Sequence, residues 1–178
     1  LMLSYDGSLA ELVIDLDAVA RNWLTLKGRL AAGADCAAVV KADAYGLGAT
    51  RVARKLYNQG CRHFFVAHAE EAAEITPALV DAATMATADR ARIYVLNGPW
   101  GMAARDMAAA GFVPFLNSLD DVRYWAAEAA GAPAVLHVDT GMNRLGLSLS
   151  DLDAPDLAAL LAKIDLRYVM SHLACADV

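Results

Sequence analysis

The sequence predicts an α/β protein on a parallel sheet, in the form of a (βα)8 TIM-type barrel represented by about six of its eight βα units. Three observations lead there. Six short apolar runs alternate with alanine-rich helical segments across the 178 residues. The runs are apolar at nearly every position, as strands buried on both faces are. The residues suited to chemistry fall just after the C-terminal ends of several different runs, which is the habit of a barrel; an open doubly wound sheet gathers them at one switch point, usually with a glycine-rich phosphate loop. Gly46 and Gly48 are too sparse for a GxGxxG fingerprint, so a nucleotide-binding sheet is set aside.

Each element has a local reason. Glu11–Ile14 reads as a brief extended start, after which Asp15 or Asp17 caps a helix running to about Leu30. Strands are expected at Cys36–Val40, His63–Ala67, Arg92–Leu96, Phe112–Leu116, Ala134–Val138 and Leu166–Met170. Helices are expected at Ala49–Gln59, Ala69–Leu79, Met102–Ala110, Leu119–Ala130 and Pro155–Lys163. Gly60, Gly111 and Gly131 stand where helix C-caps belong, and Ser118 is an N-cap followed by Asp120 and Asp121 in the first turn.

Composition removes several classes of function. The net charge of −6 comes with no basic run, which disfavours nucleic acid, whose phosphates need clustered Lys and Arg. Hydrophobic residues make up 58% of the chain, yet no apolar run reaches the roughly 18 residues that span a bilayer. The first residues lack the basic start and apolar stretch of a signal peptide, so the expected location is cytoplasmic and no membrane partner is expected. Cys36, Cys61 and Cys175 show no CxxC or metal spacing and read as reduced, mostly buried thiols. His63, His68, His137 and His172 show no close ligand pairing, and no metal is expected.

The first strand delivers Lys41 at its end, where a half-desolvated amine can lose its proton and attack an aldehyde. Around it stands AVVKADAYGLGA (Ala38–Ala49), which closely resembles the cofactor-lysine motif of the alanine racemases, enzymes that use pyridoxal phosphate. HVDTGMNRLGL at His137–Leu147 and SHLACAD at Ser171–Asp177 match the same family in the same order. The resemblance implies that Lys41 holds pyridoxal 5'-phosphate as an imine and then serves as one base. It implies that the Tyr45 hydroxyl contacts the cofactor phosphate and that Arg144 binds the substrate carboxylate and the cofactor's phenolic oxygen. By the same resemblance His172 lies against the cofactor ring. Asp139 is read as orienting its turn, not as a base.

One position departs from the family. Many members carry a carbamylated lysine two residues before the aspartate, holding the arginine in place; here that residue is His137. Strand alternation sets His137 on the same inward face as Asp139. A histidine forms no stable carbamate, but its neutral ring can accept a hydrogen bond from Arg144.

The resemblance implies an amino-acid racemase interconverting L- and D-alanine for peptidoglycan, active as a homodimer whose second base comes from the partner's C-terminal β domain. Residues 1–178 read as an incomplete N-terminal barrel domain without that β domain, inactive alone. The rival readings are a non-catalytic barrel carrying pyridoxal phosphate and an inert truncated fragment.

Overall fold

The computed structural model describes residues 12–79 and 90–175. Six strands form one sheet in the order of the chain, β1 (Ala38–Val39), β2 (His63–Val66), β3 (Arg92–Val95), β4 (Phe112–Leu116), β5 (Pro133–His137) and β6 (Asp165–Met170). Every neighbouring pair is parallel. A doubly wound sheet would reverse its order at a switch point. This one never does, and the architecture is that of a partial TIM barrel.

Helices follow the strands: α1 (Leu16–Lys27) precedes β1, α2 (Lys41–Gly46, left-handed at its centre) and α3 (Ala49–Asn58) follow it, and α4 (Ala69–Leu79) follows β2. Then come α5 (Ala104–Ala110), α6 (Leu119–Glu128), α7 (Leu149–Leu152) and α8 (Leu157–Leu161). The amphipathic pattern is plainest in α3, whose buried residues Ala49, Val52, Ala53, Leu56 and Tyr57 recur at helical spacing. Lys55 on its other face forms an ion pair with Asp17 of α1.

The sheet separates two apolar layers. Outside, Phe64, Val66, Leu116 and Leu136 pack under the helices with Ile75, Met107 and Trp125. Inside, Tyr94, Val113, Phe115 and Val135 meet, with Phe65, Leu96 and Met170 against them. Alternation along each strand produces this division, since successive side chains point to opposite faces. His137 belongs to the inner set, its ring edge-on to Phe115 at 6.1 Å.

Some of the expected caps are present, although α3 is capped by Gln59 and α6 by Ala129, short of the expected Gly60 and Gly131. Asp15, not Asp17, caps α1, its Oδ1 accepting from the Ala18 N–H at 2.9 Å. Ser118 caps α6 by accepting from the Asp121 N–H at 3.1 Å, and Gly111 ends α5 in the left-handed region. Several boundaries move. The first strand is only Ala38–Val39, α1 stops at Lys27, α5 begins at Ala104 and α6 ends at Glu128. The segment expected as one helix over Pro155–Lys163 holds only α8 at Leu157–Leu161. Before it an unforeseen short helix, α7, starts from a capping box between Ser148 and Asp151. Of the extended start, Glu11 lies outside the described residues and 12–14 adopt no regular element.

At the two sides of the sheet, β1 and β6 each have one neighbour among the described residues. The outer strand β6 leaves Val169 64% exposed. No helix among the described residues is long and apolar enough to cross a membrane.

Candidate functional site

The site begins with a backbone conformation that L-residues avoid. Directly after β1 the chain makes a left-handed turn, with φ between 51° and 58° at Ala42, Asp43, Ala44 and Tyr45. Each such residue costs roughly 1–2 kcal/mol, and a run of four is a strain that must be held by its surroundings. Hydrogen bonds hold it. The Ala44 N–H donates to the Val40 carbonyl at 2.9 Å and the Gly48 N–H to the Asp43 carbonyl at 3.0 Å. The Asp43 carboxylate accepts from the Ala49 N–H at 2.6 Å, tying the turn to the start of α3. From α4, Glu71 reaches across: its Oε1 accepts from the Ala42 N–H at 2.7 Å and its Oε2 from the Ala67 N–H at 2.6 Å. One carboxylate therefore joins the ends of β1 and β2, and the turn leaves Lys41 half-buried and Tyr45 exposed at the mouth of the sheet.

Arg144 stands on a loop that returns to its own strand. The Leu147 N–H donates to the His137 carbonyl at 2.8 Å and the Asp139 N–H to the Leu147 carbonyl at 2.9 Å. Asp139 Oδ1 accepts from the N–H groups of Gly141 and Asn143 at 2.9 and 3.0 Å, and these bonds hold its carboxyl below the usual range. Asp139 thus braces its own turn. Gly146 closes the loop at φ +111°, where a Cβ would come within 2.7 Å of Asp139 N and 2.9 Å of the Val138 carbonyl carbon. Only glycine fits that approach.

These elements surround one cavity of about 490 Å³ at the C-terminal ends of the strands. Lys41, Tyr45, His137, Arg144 and His172 all line it, with Phe65, Leu96 and Met170 forming its apolar floor. Residues more than 130 positions apart in the chain thus meet there. Asp139 is not among the lining residues and acts on the site through its loop.

His137 is 6% exposed. Burial first, then the neighbouring His172 and Arg144, push its ring below the ordinary imidazole value against the pull of Asp139, so the ring is neutral near pH 7. The expected hydrogen bond from Arg144 is not formed. His137 Nδ1 lies 2.7 Å from Asn117 Oδ1, and Nε2 has no partner.

Two asparagines at this end escaped the sequence reading. Asn97, just after β3, lines the cavity and has its amide 3.1 Å from His68 Nε2; Asn117, just after β4, is buried beneath His137. Both occupy the strand-end position that singled out Lys41 and His172, so the same rule applied to β3 and β4 would have found them. Glu71 escaped too, although a Glu in the third position of a helix is a known signal for a side chain reaching back to the preceding backbone. Among the cysteines, Cys61 is buried and Cys36 half-buried, but Cys175 is exposed, a correction to the expectation of mostly buried thiols. Among the described residues no group of three or more His, Cys, Asp or Glu is placed to hold a metal ion.

A second buried imidazole sits at the opposite end of the strands. His63 Nδ1 is 2.9 Å from the Tyr94 hydroxyl, and burial pushes its ring down although Asp35 lies 3.6 Å away. Both lowered histidines make stability acid-sensitive. Above the unfolded value of about 6.5 the rings are neutral in both states. Below it the unfolded chain takes up protons that the folded chain does not, so stability falls as pH drops from 6.5 toward the folded values. Urea midpoints are expected to decline from pH 7.5 to pH 5.5, with a shallower decline in His63→Gln and His137→Gln. A midpoint constant over that range would exclude this linkage.

A partial barrel of parallel strands with a half-buried lysine, a guanidinium and imidazoles around one cavity defines a lysine-bearing portion of a TIM-type barrel with its site at the usual end. Residues 14–178 match the family model for the alanine racemase N-terminal domain, and the chain belongs to that family. It is 48% identical over 178 residues to an alanine racemase of Rhodospirillum rubrum, an alignment covering 97% of this chain and 45% of that protein. A catabolic alanine racemase of Agrobacterium fabrum is 44% identical over 96% of this chain and 43% of its own length. The crystal structure of the Bartonella henselae alanine racemase, with covalently bound pyridoxal phosphate, superposes with a TM-score of 0.78 at 37% identity, covering 91% of this chain and 46% of that one. The chain spans less than half the length of each of these proteins.

Proposed function

We propose that this chain forms the cofactor-bearing part of an alanine racemase that interconverts L- and D-alanine and uses pyridoxal 5'-phosphate. The observation that carries the reading is the meeting of Lys41, Tyr45, Arg144, His172 and His137 on one cavity. Its volume is in the usual range for a small-molecule site. The donor set suits the cofactor: an amine for the aldehyde, a phenol hydroxyl for the phosphate and a guanidinium for the phenolic oxygen.

When bound, pyridoxal phosphate supplies an electron sink that makes the substrate's α-hydrogen acidic enough to remove. The protein's task is to position groups around it. Lys41 Nζ would hold the cofactor, and its free amine would take or return the α-proton on one face. Arg144 would fix the substrate carboxylate with its planar fork, the Tyr45 hydroxyl would donate a hydrogen bond to the phosphate, and His172 would support the ring. The base for the opposite face is absent from this set. In our reading a tyrosine of the partner subunit supplies it, which makes the working enzyme a homodimer. We assign residues 1–178 to the N-terminal barrel domain and the β domain to the remainder of such a protein. The reaction belongs in the cytoplasm, with D-alanine passing to peptidoglycan precursors.

The test is covalent trapping. The full-length protein incubated with pyridoxal phosphate and reduced with borohydride is expected to carry one stable adduct, and peptide mapping is expected to find it on Lys41. An adduct on another lysine with Lys41 unmodified would remove the assignment.

His137 gives a second expectation. With a histidine where a carbamate would stand, racemisation is expected to be independent of added bicarbonate. His137→Ala is expected to lower kcat/KM for alanine about tenfold or more while cofactor retention changes little, because the loss is in the setting of Arg144. Strong activation of the unaltered protein by bicarbonate would contradict this.

A further inference from the structure

We infer that Asn117 is a positioning residue that dictates the tautomer of His137, so that the ring presents a lone pair, not a proton, to the cavity and to Arg144. The inference deepens the racemase reading, since it names what sets the arginine in that site. The Leu96 carbonyl can only accept, and Asn117 Nδ2 donates to it at 2.9 Å. That bond orients the amide and leaves Asn117 Oδ1, an acceptor only, facing His137 Nδ1 at 2.7 Å. The proton of the neutral ring must then be on Nδ1, and Nε2 carries the lone pair.

Nε2 is buried with no partner, in a ring that lines the cavity. A buried acceptor left unpaired costs about 1–3 kcal/mol, a cost tolerated where function uses the group. Arg144 lines the same cavity and is a permanent donor.

Asn117 holds the other side of this pair as well. Its backbone carbonyl accepts from the Gly146 N–H at 3.1 Å, two residues beyond Arg144. Its backbone N–H donates to the buried Asp121 Oδ2 at 2.8 Å, and Asp121 Oδ1 also accepts from Trp100 Nε1 at 3.1 Å. One residue after β4 therefore fixes both the protonation pattern of His137 and the end of the loop carrying Arg144. The chain of orientation runs from the Leu96 carbonyl through the Asn117 amide to Nε2, and every link is a hydrogen bond of ordinary length.

The experiment is nitrogen NMR of the full-length protein labelled in its histidines, without cofactor, at pH 8, with the His137 signals assigned by their loss in His137→Gln. The expected pattern is a protonated, pyrrole-like Nδ1 and an unprotonated, pyridine-like Nε2. Asn117→Leu, which keeps the volume and loses the amide, is expected to shift Nε2 toward the protonated value. Asn117→Asp, which keeps an acceptor for Nδ1, is expected to leave the proton on Nδ1. In racemisation assays Asn117→Leu is expected to raise the KM for alanine about tenfold, with a smaller change in kcat. A protonated Nε2 in the unaltered protein overturns the proposal, as does an unchanged pattern in Asn117→Leu. If Asn117→Leu does not fold, the unaltered protein's own pattern decides. A protein that shows the pattern but racemises nothing would refute the racemase reading and leave the tautomer assignment standing.

Discussion

Lys41→Ala in the full-length protein is expected to lower alanine racemisation by at least about a thousandfold. Two losses coincide: the amine that holds the cofactor and the base for one face of the substrate, each of which contributes on the order of a hundredfold or more. Lys41→Arg keeps the charge yet is expected to fail nearly as badly, because a guanidinium stays protonated and attacks no aldehyde. Chiral analysis of the product together with deuterium exchange at the α-carbon measures the effect. The side chain of Lys41 lies at the start of a turn and not in the apolar core. Its removal should therefore leave the circular dichroism spectrum and urea midpoint near those of the unaltered protein. Turnover within tenfold of normal would place the chemistry elsewhere.

The largest effect on stability is expected at Glu71. Its carboxylate accepts from the Ala42 and Ala67 N–H groups and more distantly from His68 N at 3.3 Å. Hydrogen bonds to a charged acceptor contribute about 1.5–3 kcal/mol each, and the exposed ends of the turn regain some of that from water. Glu71→Ala is expected to cost about 3 kcal/mol in urea denaturation, and Glu71→Gln, which keeps one acceptor oxygen, about half as much. Because the bond to Ala42 holds the residue next to Lys41, both variants should also release cofactor faster. A stability loss below about 0.5 kcal/mol in Glu71→Ala would mean that the left-handed turn is held without it.

Much of this architecture was legible because it rests on side-chain burial. Strands at His63–Val66, Arg92–Val95 and Phe112–Leu116 stand within a residue of their expected ranges, since continuous apolar runs have no other use in a parallel sheet. Lys41, Tyr45, Arg144 and His172, found through strand ends and the family motifs, do meet at one cavity. The left-handed turn was not legible. Ala42, Asp43 and Ala44 carry no glycine signal for positive φ, and one of the bonds that hold the turn comes from Glu71, 29 positions from Ala42. The partner of His137 was not legible either. Periodicity sets the face of His137 but is silent on Asn117, which takes Nδ1 and leaves Nε2 without a partner. Pattern reading sees which way a residue faces, whereas hydrogen-bond partners depend on the loops that close over it.

The strictly sequential order of the sheet has a consequence for how the molecule is made. Every strand pairs with the one synthesised immediately before it, and its covering helix lies in the intervening segment. Among the described residues no pairing waits for a distant part of the chain, so loop-closure entropy is met in small instalments. As the polypeptide leaves the ribosome, β1 and β2 can associate around α3 before β3 has emerged, and each later strand adds to an edge already formed. Lys41 and its turn are therefore assembled early, with Glu71 close behind. Arg144 and His172 arrive last, which leaves the cavity incomplete until the sixth strand has docked.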